Sequence, residues 1–271
     1  MTPDDFDRLQ SLMASRAGFR LTRDRMKLAE HRLGPVARRE GFDTVDAMLA
    51  SLWARPVAAL GWAVIESLLN PETWFRRDRT SFDTLAQELL PALGKARGGQ
   101  PVKIWSAGCS TGQEAWSLAI AAHEAGVAVE IVATDLSQRA LEKARSGAYT
   151  GFEIQRGLKA ETMLRNFDQV EDAWIARAEL RAMVHFARAN LVDAPTDGHR
   201  FDIIFCRHLL GDAEPSRRGE MFDNLERRLV DDGCLFLGPD EQPDGDSIAF
   251  RPVAGRKGLF VKSPAALRRA A

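Results

Sequence analysis

Apolar residues recur at helical spacing through the first 69 positions, and nothing there alternates as a strand would. Pro3 suits a helix start, and Phe6, Leu9, Leu12 and Met13 form one stripe behind it. The spacing breaks at Gly18 and then resumes. Gly34-Pro35 predicts a kink or a split in the second helix, because proline lacks the N–H and disfavours helix at the residue before it. Gly41 ends that segment, and two more helices are expected over 43–54 and 57–69. After Asn70 the pattern changes. Short apolar runs at 102–105, 129–133, 201–206 and 234–238 read as strands, and helical patterns follow the first two at 114–125 and 137–146. Such alternation predicts an open parallel sheet with helical crossovers. Residues 147–190 interrupt it with mixed short segments and read as an inserted subdomain, while 249–262 could close the sheet with an antiparallel hairpin. The expected organisation is a helical domain over 1–69 and an α/β domain over 70–271.

Composition narrows the classes without choosing among them. At 271 residues, 45% hydrophobic and 28% charged, the chain has the make-up of a soluble globular protein of one large or two small domains. The 37 basic residues balance 38 acidic ones, which speaks against a globally basic nucleic-acid binder. No apolar run approaches the roughly 18 residues of a membrane span, and the acidic start MTPDDFDRLQ does not read as a signal peptide. Cys109, Cys206 and Cys234 are scattered and odd in number, which suits a reducing cytoplasm. Without a CxxC or HExxH motif, no metal site is expected. Charge is uneven, however. Between Ser15 and Glu40 eight basic residues face three acidic ones, a local +5. Such a run is either a solvated helix face or a surface that steers an acidic partner.

The chemistry concentrates where the first strand ends. Ala107-Gly108-Cys109-Ser110-Thr111-Gly112 is a glycine-bearing turn opening a helix, and exposed N–H groups at such a start favour a polar or anionic ligand. The second strand ends in Asp135, about 23 positions past Gly112, where a carboxylate can accept both hydroxyls of a ribose. The pattern is not GxGxxG. These residues alone leave NAD and S-adenosylmethionine (SAM) both open.

The wider wording resembles the CheR family, SAM-dependent glutamate O-methyltransferases of chemotaxis receptors. The resemblance rests on Asn70-Pro-Glu-Thr-Trp-Phe-Arg-Arg-Asp78, Ile104 to Glu114, Ala133-Thr-Asp135-Leu-Ser, Arg156-Gly-Leu, Asn190-Leu191, Phe201 to Arg207 and Leu235-Phe-Leu-Gly238. It covers the chain from about residue 5 to its end. It implies an N-terminal helical domain, a Rossmann-like methyltransferase sheet and a small inserted β-subdomain. By that resemblance Asn70, Thr73 and Arg76 line the cleft, with Arg76 as the catalytic candidate. Ala107, Gly108, Gly112 and Gln113 cradle the methionyl part of SAM. Asp135 holds the ribose, Asn190 and Leu191 border the adenine, and His208 with Leu209 completes the pocket. The basic N-terminal helix, with Arg25, Arg32 and Arg39, would face the acidic receptor, and the protein would work in the cytoplasm. The product cofactor would be S-adenosylhomocysteine (SAH).

A glutamate is already a carboxylate at neutral pH, so the reaction needs alignment rather than a base. An arginine near the substrate oxygens suits that role. Three departures from the family bear on it. Where relatives read Cys-Arg-Asn-Val and then Tyr-Phe, this chain reads Cys206-Arg207-His208-Leu209-Leu210-Gly211-Asp212-Ala213. An amide has become His208 and an aromatic hydroxyl has become Asp212, whose charge would repel a carboxylate unless it points away. Gly-Glu-Glu-Pro-Tyr has become Gly112-Gln113-Glu114-Ala115-Trp116. The stretch 167–177 has no glycine, which favours the class that does not tether itself to a receptor peptide. Two functions follow: a receptor glutamate methyltransferase, or a SAM-binding relative with altered catalysis that works as a regulatory module.

Overall fold

The computed structural model describes residues 1–195, 198–243 and 249–263, and these divide into two compact units. The first comprises Met1–Asn70 with Asp212–Arg218. It holds helices α1 (Pro3–Ala17), α2 (Met26–Arg39), α3 (Val45–Ala54) and α4 (Ala58–Leu68). Thr2 caps α1 through a reciprocal bond with Asp5, Pro3 follows at the first position, and Gly18 ends the helix with φ 73°. Phe6, Leu9, Met13 and Ala17 are buried on one face of α1, and Leu33, Val36 and Ala37 of α2 are buried with them among the unit's core residues. The helix does not split at Gly34-Pro35: α2 runs through both. Proline removes only one helical bond, and buried Leu33 and Val36 pin the helix on either side of it. Residues 212–218 join this unit through Arg20 N–H to Asp212 carbonyl (2.9 Å) and Glu214 N–H to Gly18 carbonyl (2.8 Å).

The second unit comprises Pro71–Gly211 and Gly219 onward. It begins with two short helices, α5 (Arg79–Thr84) and α6 (Leu90–Ala96), joined by a π-helical turn. The sheet strands are β1 (Val102–Ala107), β2 (Val129–Asp135), β3 (Ala148–Thr150), β4 (Phe167–Val170), β5 (Ala173–Ala176), β6 (Val184–Arg188), β7 (Phe201–Phe205), β8 (Leu229–Phe236), β9 (Phe250–Pro252) and β10 (Leu259–Lys262). Between them lie α7 (Gln113–Ala125), α8 (Gln138–Ser146), α9 (Gly151–Gln155), α10 (Ala160–Asn166), α11 (Ala178–Arg181) and α12 (Arg218–Arg228). Seven strands form the main sheet in the order β6-β2-β1-β7-β8-β10-β9, and β3-β5-β4 form a separate small one. The main sheet is parallel from β6 to β8 and antiparallel at β10 and β9, so 249–262 closes its edge as the pattern suggested. β6 falls inside 147–190 yet pairs with β2 in the main sheet, so the small sheet spans less of the chain than the sequence suggested. Strands buried on both faces read as continuous apolar runs, and β7 is buried along its whole length. Phe205 of β7 stacks on Phe236 of β8 with centroids 4.3 Å apart.

Candidate active site

β1 lies between β2 and β7, so the chain turns one way after β1 and the other way on reaching β7. A doubly wound sheet opens a crevice at such a reversal, beyond the carboxyl ends of the strands. Gly108 and Leu209 meet there: a Cβ on Gly108 would overlap the Leu209 side chain. Gly112 is equally constrained, at φ 96°, with a Cβ position 2.8 Å from Ala144 and 2.9 Å from the Tyr149 hydroxyl. Only glycine fits both.

Asp135 fastens this turn. Its Oδ2 accepts from Ser110 N–H at 2.7 Å and its Oδ1 from Ser137 N–H at 2.8 Å. The amides of Gly108 and Cys109 donate to Thr134 carbonyl, and the Tyr149 hydroxyl donates to Thr111 carbonyl at 2.7 Å. Burial pushes the Tyr149 pKa well up, so that hydroxyl stays a donor. Asn190 lies beside this point, because Arg188 pairs with Asp135 in register and Ala189 N–H donates to Asp135 carbonyl at 3.1 Å. Asn224 of α12 holds the following turn through Leu191 carbonyl (2.8 Å).

A charged network lies under the crevice. The Arg207 guanidinium, 1% exposed, donates to Glu114 Oε2 (3.2 Å), Asp78 Oδ2 (2.6 Å) and Arg77 carbonyl (2.7 Å). Ser106 donates to the other Glu114 oxygen (2.8 Å), and His208 Nε2 lies 2.6 Å from Asp78 Oδ2. Glu241 fills a nest of three amides: His208 and Gly238 N–H at 2.7 Å and Leu210 N–H at 2.8 Å. Of five non-glycine residues with positive φ among those described, four (Arg76, Asp78, Ser110 and His208) belong to this region. Such strain gathers where surrounding contacts over-determine a functional geometry.

The structure thus brings Ala107, Gly108, Gly112, Gln113, Asp135, Asn190, Leu191, His208 and Leu209 to the carboxyl ends of β1, β2, β6 and β7. Thr73 is half-buried in the segment leading to Arg76. Asn70 lies in the helical unit, where its Nδ2 donates to Asp212 Oδ2 at 3.3 Å. Arg76 departs most from its expected part. Its guanidinium pairs with Glu124 at 2.6 Å in the last turn of α7, and its N–H donates to Ser117 Oγ. Eleven helical positions separate Glu124 from Gln113, roughly 16 Å along the axis. Left-handed backbone at Arg76 and Asp78 separates the directions of these neighbouring side chains. Arg77 keeps its guanidinium carbon 4.2 Å from the Trp74 ring centroid and donates to Glu72 carbonyl (3.0 Å). The only sequence signal for it was the Arg-Arg doublet itself. Arg207, Glu114 and Glu241 were also missed as site residues.

Fold and turn together define a doubly wound α/β protein with a nucleoside-cofactor crevice. The family model described as "CheR methyltransferase, SAM binding domain" matches residues 71–259, and the chain belongs to this family. The chemotaxis protein methyltransferase Cher2 of Pseudomonas putida is 29% identical over 96% of this chain and 98% of its own. The chemotaxis protein methyltransferase 1 of Pseudomonas aeruginosa is 31% identical over 96% and 97%. The probable biofilm formation methyltransferase WspC of Pseudomonas aeruginosa is 36% identical over 69% of this chain and 48% of its own. No helix among the described residues is long and apolar enough to cross a membrane.

Proposed function

We propose that this protein transfers the methyl group of SAM to glutamate side chains of a chemoreceptor and does so in the cytoplasm. The observation that carries the reading is Asp135, whose two oxygens accept one backbone amide from Ser110 in the glycine turn and one from Ser137 after β2. A carboxylate offers about four lone-pair sites, so two hydroxyls of a ribose can share the group without displacing those amides. Ala107, Gly108, Gly112 and Gln113 would cradle the methionyl part, Asn190 and Leu191 would border the adenine, and His208 and Leu209 would close the pocket, with Asn70 and Thr73 lining the cleft. The cradle fits close backbone approach, since Gly108 and Gly112 have no room for side chains. When bound, SAM supplies an activated methyl group. The protein's part is to align a carboxylate oxygen with it. In this reading Arg77 takes the orienting role assigned to Arg76 from sequence, because Glu124 already neutralises Arg76.

Asp212 bears on the regulatory alternative. Its carboxylate pairs with Arg25 (3.0 Å) and Asn70 (3.3 Å), so the repulsion argued from sequence is neutralised, which favours catalysis. The receptor would approach the basic face of α2. Arg32 is committed elsewhere, since it donates to the Leu68 and Leu69 carbonyls at the end of α4. Lys27, Arg38 and Arg39 remain exposed and would form that face.

Titration calorimetry with SAH tests the cofactor site: Asp135→Ala should weaken binding by about 1–3 kcal/mol. Incubation with labelled SAM and receptor fragments should give alkali-labile methyl esters. Binding of NAD but of neither SAM nor SAH would sink the proposal.

A further inference from the structure

Besides holding the glycine turn through Tyr149, the small sheet fixes the position of a charged side chain beside the segment bordering that turn. Phe75 is fully buried, edge-on to Tyr149 of β3 (5.0 Å) and Phe167 of β4 (5.7 Å). Gly157, at φ 112°, lies so close to Phe75 that a Cβ would overlap the Phe75 carbonyl oxygen. Arg156 precedes Gly157 and Trp74 precedes Phe75, so the same contacts hold Arg156 against Trp74. Its guanidinium carbon lies 4.2 Å from the indole centroid. Arg77 reaches the same ring at the same distance, so one indole carries two guanidinium groups.

A carboxylate already sits on one member of this pair, Arg156. Glu72 Oε1 lies 3.1 Å from Arg156 Nη2, with the two side chains 51% and 47% exposed. Ser110 Oγ donates to Pro71 carbonyl at 3.0 Å, which ties the Glu72 segment to the glycine turn. Phe152 of α9, four positions before Arg156 at the helix end, is 80% exposed. Arginine beside exposed aromatic rings is the composition that anchors protein partners. An exposed ion pair contributes only about 0–1 kcal/mol, so a second carboxylate can exchange with Glu72 at little loss.

We propose that Arg156, braced on Trp74, is the docking point for a carboxylate of the acidic protein segment that carries the methylated glutamate. Glu72 stands in for that carboxylate in the free protein, and Phe152 gives the segment an apolar contact alongside. The inference deepens the transferase reading and rests on it for the identity of the segment. The small sheet then serves recognition, because its contacts with Phe75 set the position of Arg156.

The test uses the full chain and a glutamate-rich receptor fragment, with Arg156→Ala, Arg156→Lys and Glu72→Gln variants. Arg156→Ala should raise KM for the fragment about tenfold, equivalent to about 1.4 kcal/mol, and change kcat far less. SAH affinity and melting temperature should stay at the wild-type values, which a merely structural role for Arg156 would not allow. Lysine should restore part of the affinity, and Glu72→Gln should lower KM by removing the competitor. A second measurement, titration of the fragment into SAH-loaded protein, separates the two readings. If the wild type binds the fragment through Arg156 but transfers no methyl group, the docking point stands and the transferase reading falls. Equal fragment affinity and equal KM in wild type, Arg156→Ala and Glu72→Gln overturn the docking point, as does a wild type that binds no fragment.

Discussion

Replacing Arg207 by leucine should be the most damaging single change under the crevice. The guanidinium is 1% exposed and joins three elements: Asp78 after the Trp74 segment, Glu114 at the start of α7, and its own position after β7. Hydrogen bonds to charged groups contribute about 1.5–3 kcal/mol each, but they share one cation and do not add. Removing one member of a buried pair costs about 3–5 kcal/mol. The lower part of that range applies, because Asp78 is 31% exposed and regains water, and Glu114 keeps the Ser106 hydroxyl. A loss of about 3 kcal/mol is therefore expected, read as a lower denaturant midpoint at unchanged slope. SAH affinity should fall as well, because the Arg77 carbonyl and Asp78, which lies against His208, both lose Arg207. The double variant with Glu114→Gln should recover at least about 1 kcal/mol, since it removes the acid left without its cation. A loss below about 1 kcal/mol in the single variant, or no recovery in the double, would refute the reasoning.

Gly157→Ala would place a methyl group on the Phe75 carbonyl at a backbone angle that side chains rarely adopt. Strain of about 1–3 kcal/mol plus the overlap should lower the melting temperature by roughly 6 °C or more, and a melt within about 1 °C of wild type, on the same scale, would contradict the close approach. Reversing Arg38 and Arg39 to glutamate should slow association with receptor fragments at low salt and leave SAH affinity alone. The difference should fade as the screening length falls to about 8 Å near physiological ionic strength, and equal rates at low salt would reduce α2 to a solvated face.

The parts legible in the sequence are those set by local rules. The apolar runs of β1, β2 and β7, the glycines of the turn and Asp135 at a strand end each follow from a pattern within a few residues. The start of α1 at Pro3 is equally local. What escaped depends on distant partners. α5 carries no clean start signal, because it begins after Asp78, a residue in left-handed backbone with no capping bond. β6 lies within the stretch whose sequence reads as the insert, and only its pairing with β2 assigns it to the main sheet. Arg76 and Arg77 are indistinguishable as sequence, and the separation arises from Glu124, 48 positions away. Arg207 meets Glu114 across 93 positions and Asp78 across 129, and no spacing rule reaches that far.

An enzyme that esterifies a carboxylate must admit an anion to a crevice built with acids. Asp78, Glu114, Asp135 and Glu241 all surround this one, and each is answered: Asp78 and Glu114 share Arg207, Asp135 takes two backbone amides and Glu241 takes three. The need is quantitative. A bare like charge 4 Å from the substrate costs about 4 kcal/mol at an effective dielectric of 20, and that much in the barrier slows transfer about a thousandfold. Asp212 obeys the same rule by other means. It follows Leu210 by two residues, and its carboxylate is answered by Arg25 and Asn70 within the helical unit. With that cation and amide in place, the acid carries no unanswered charge.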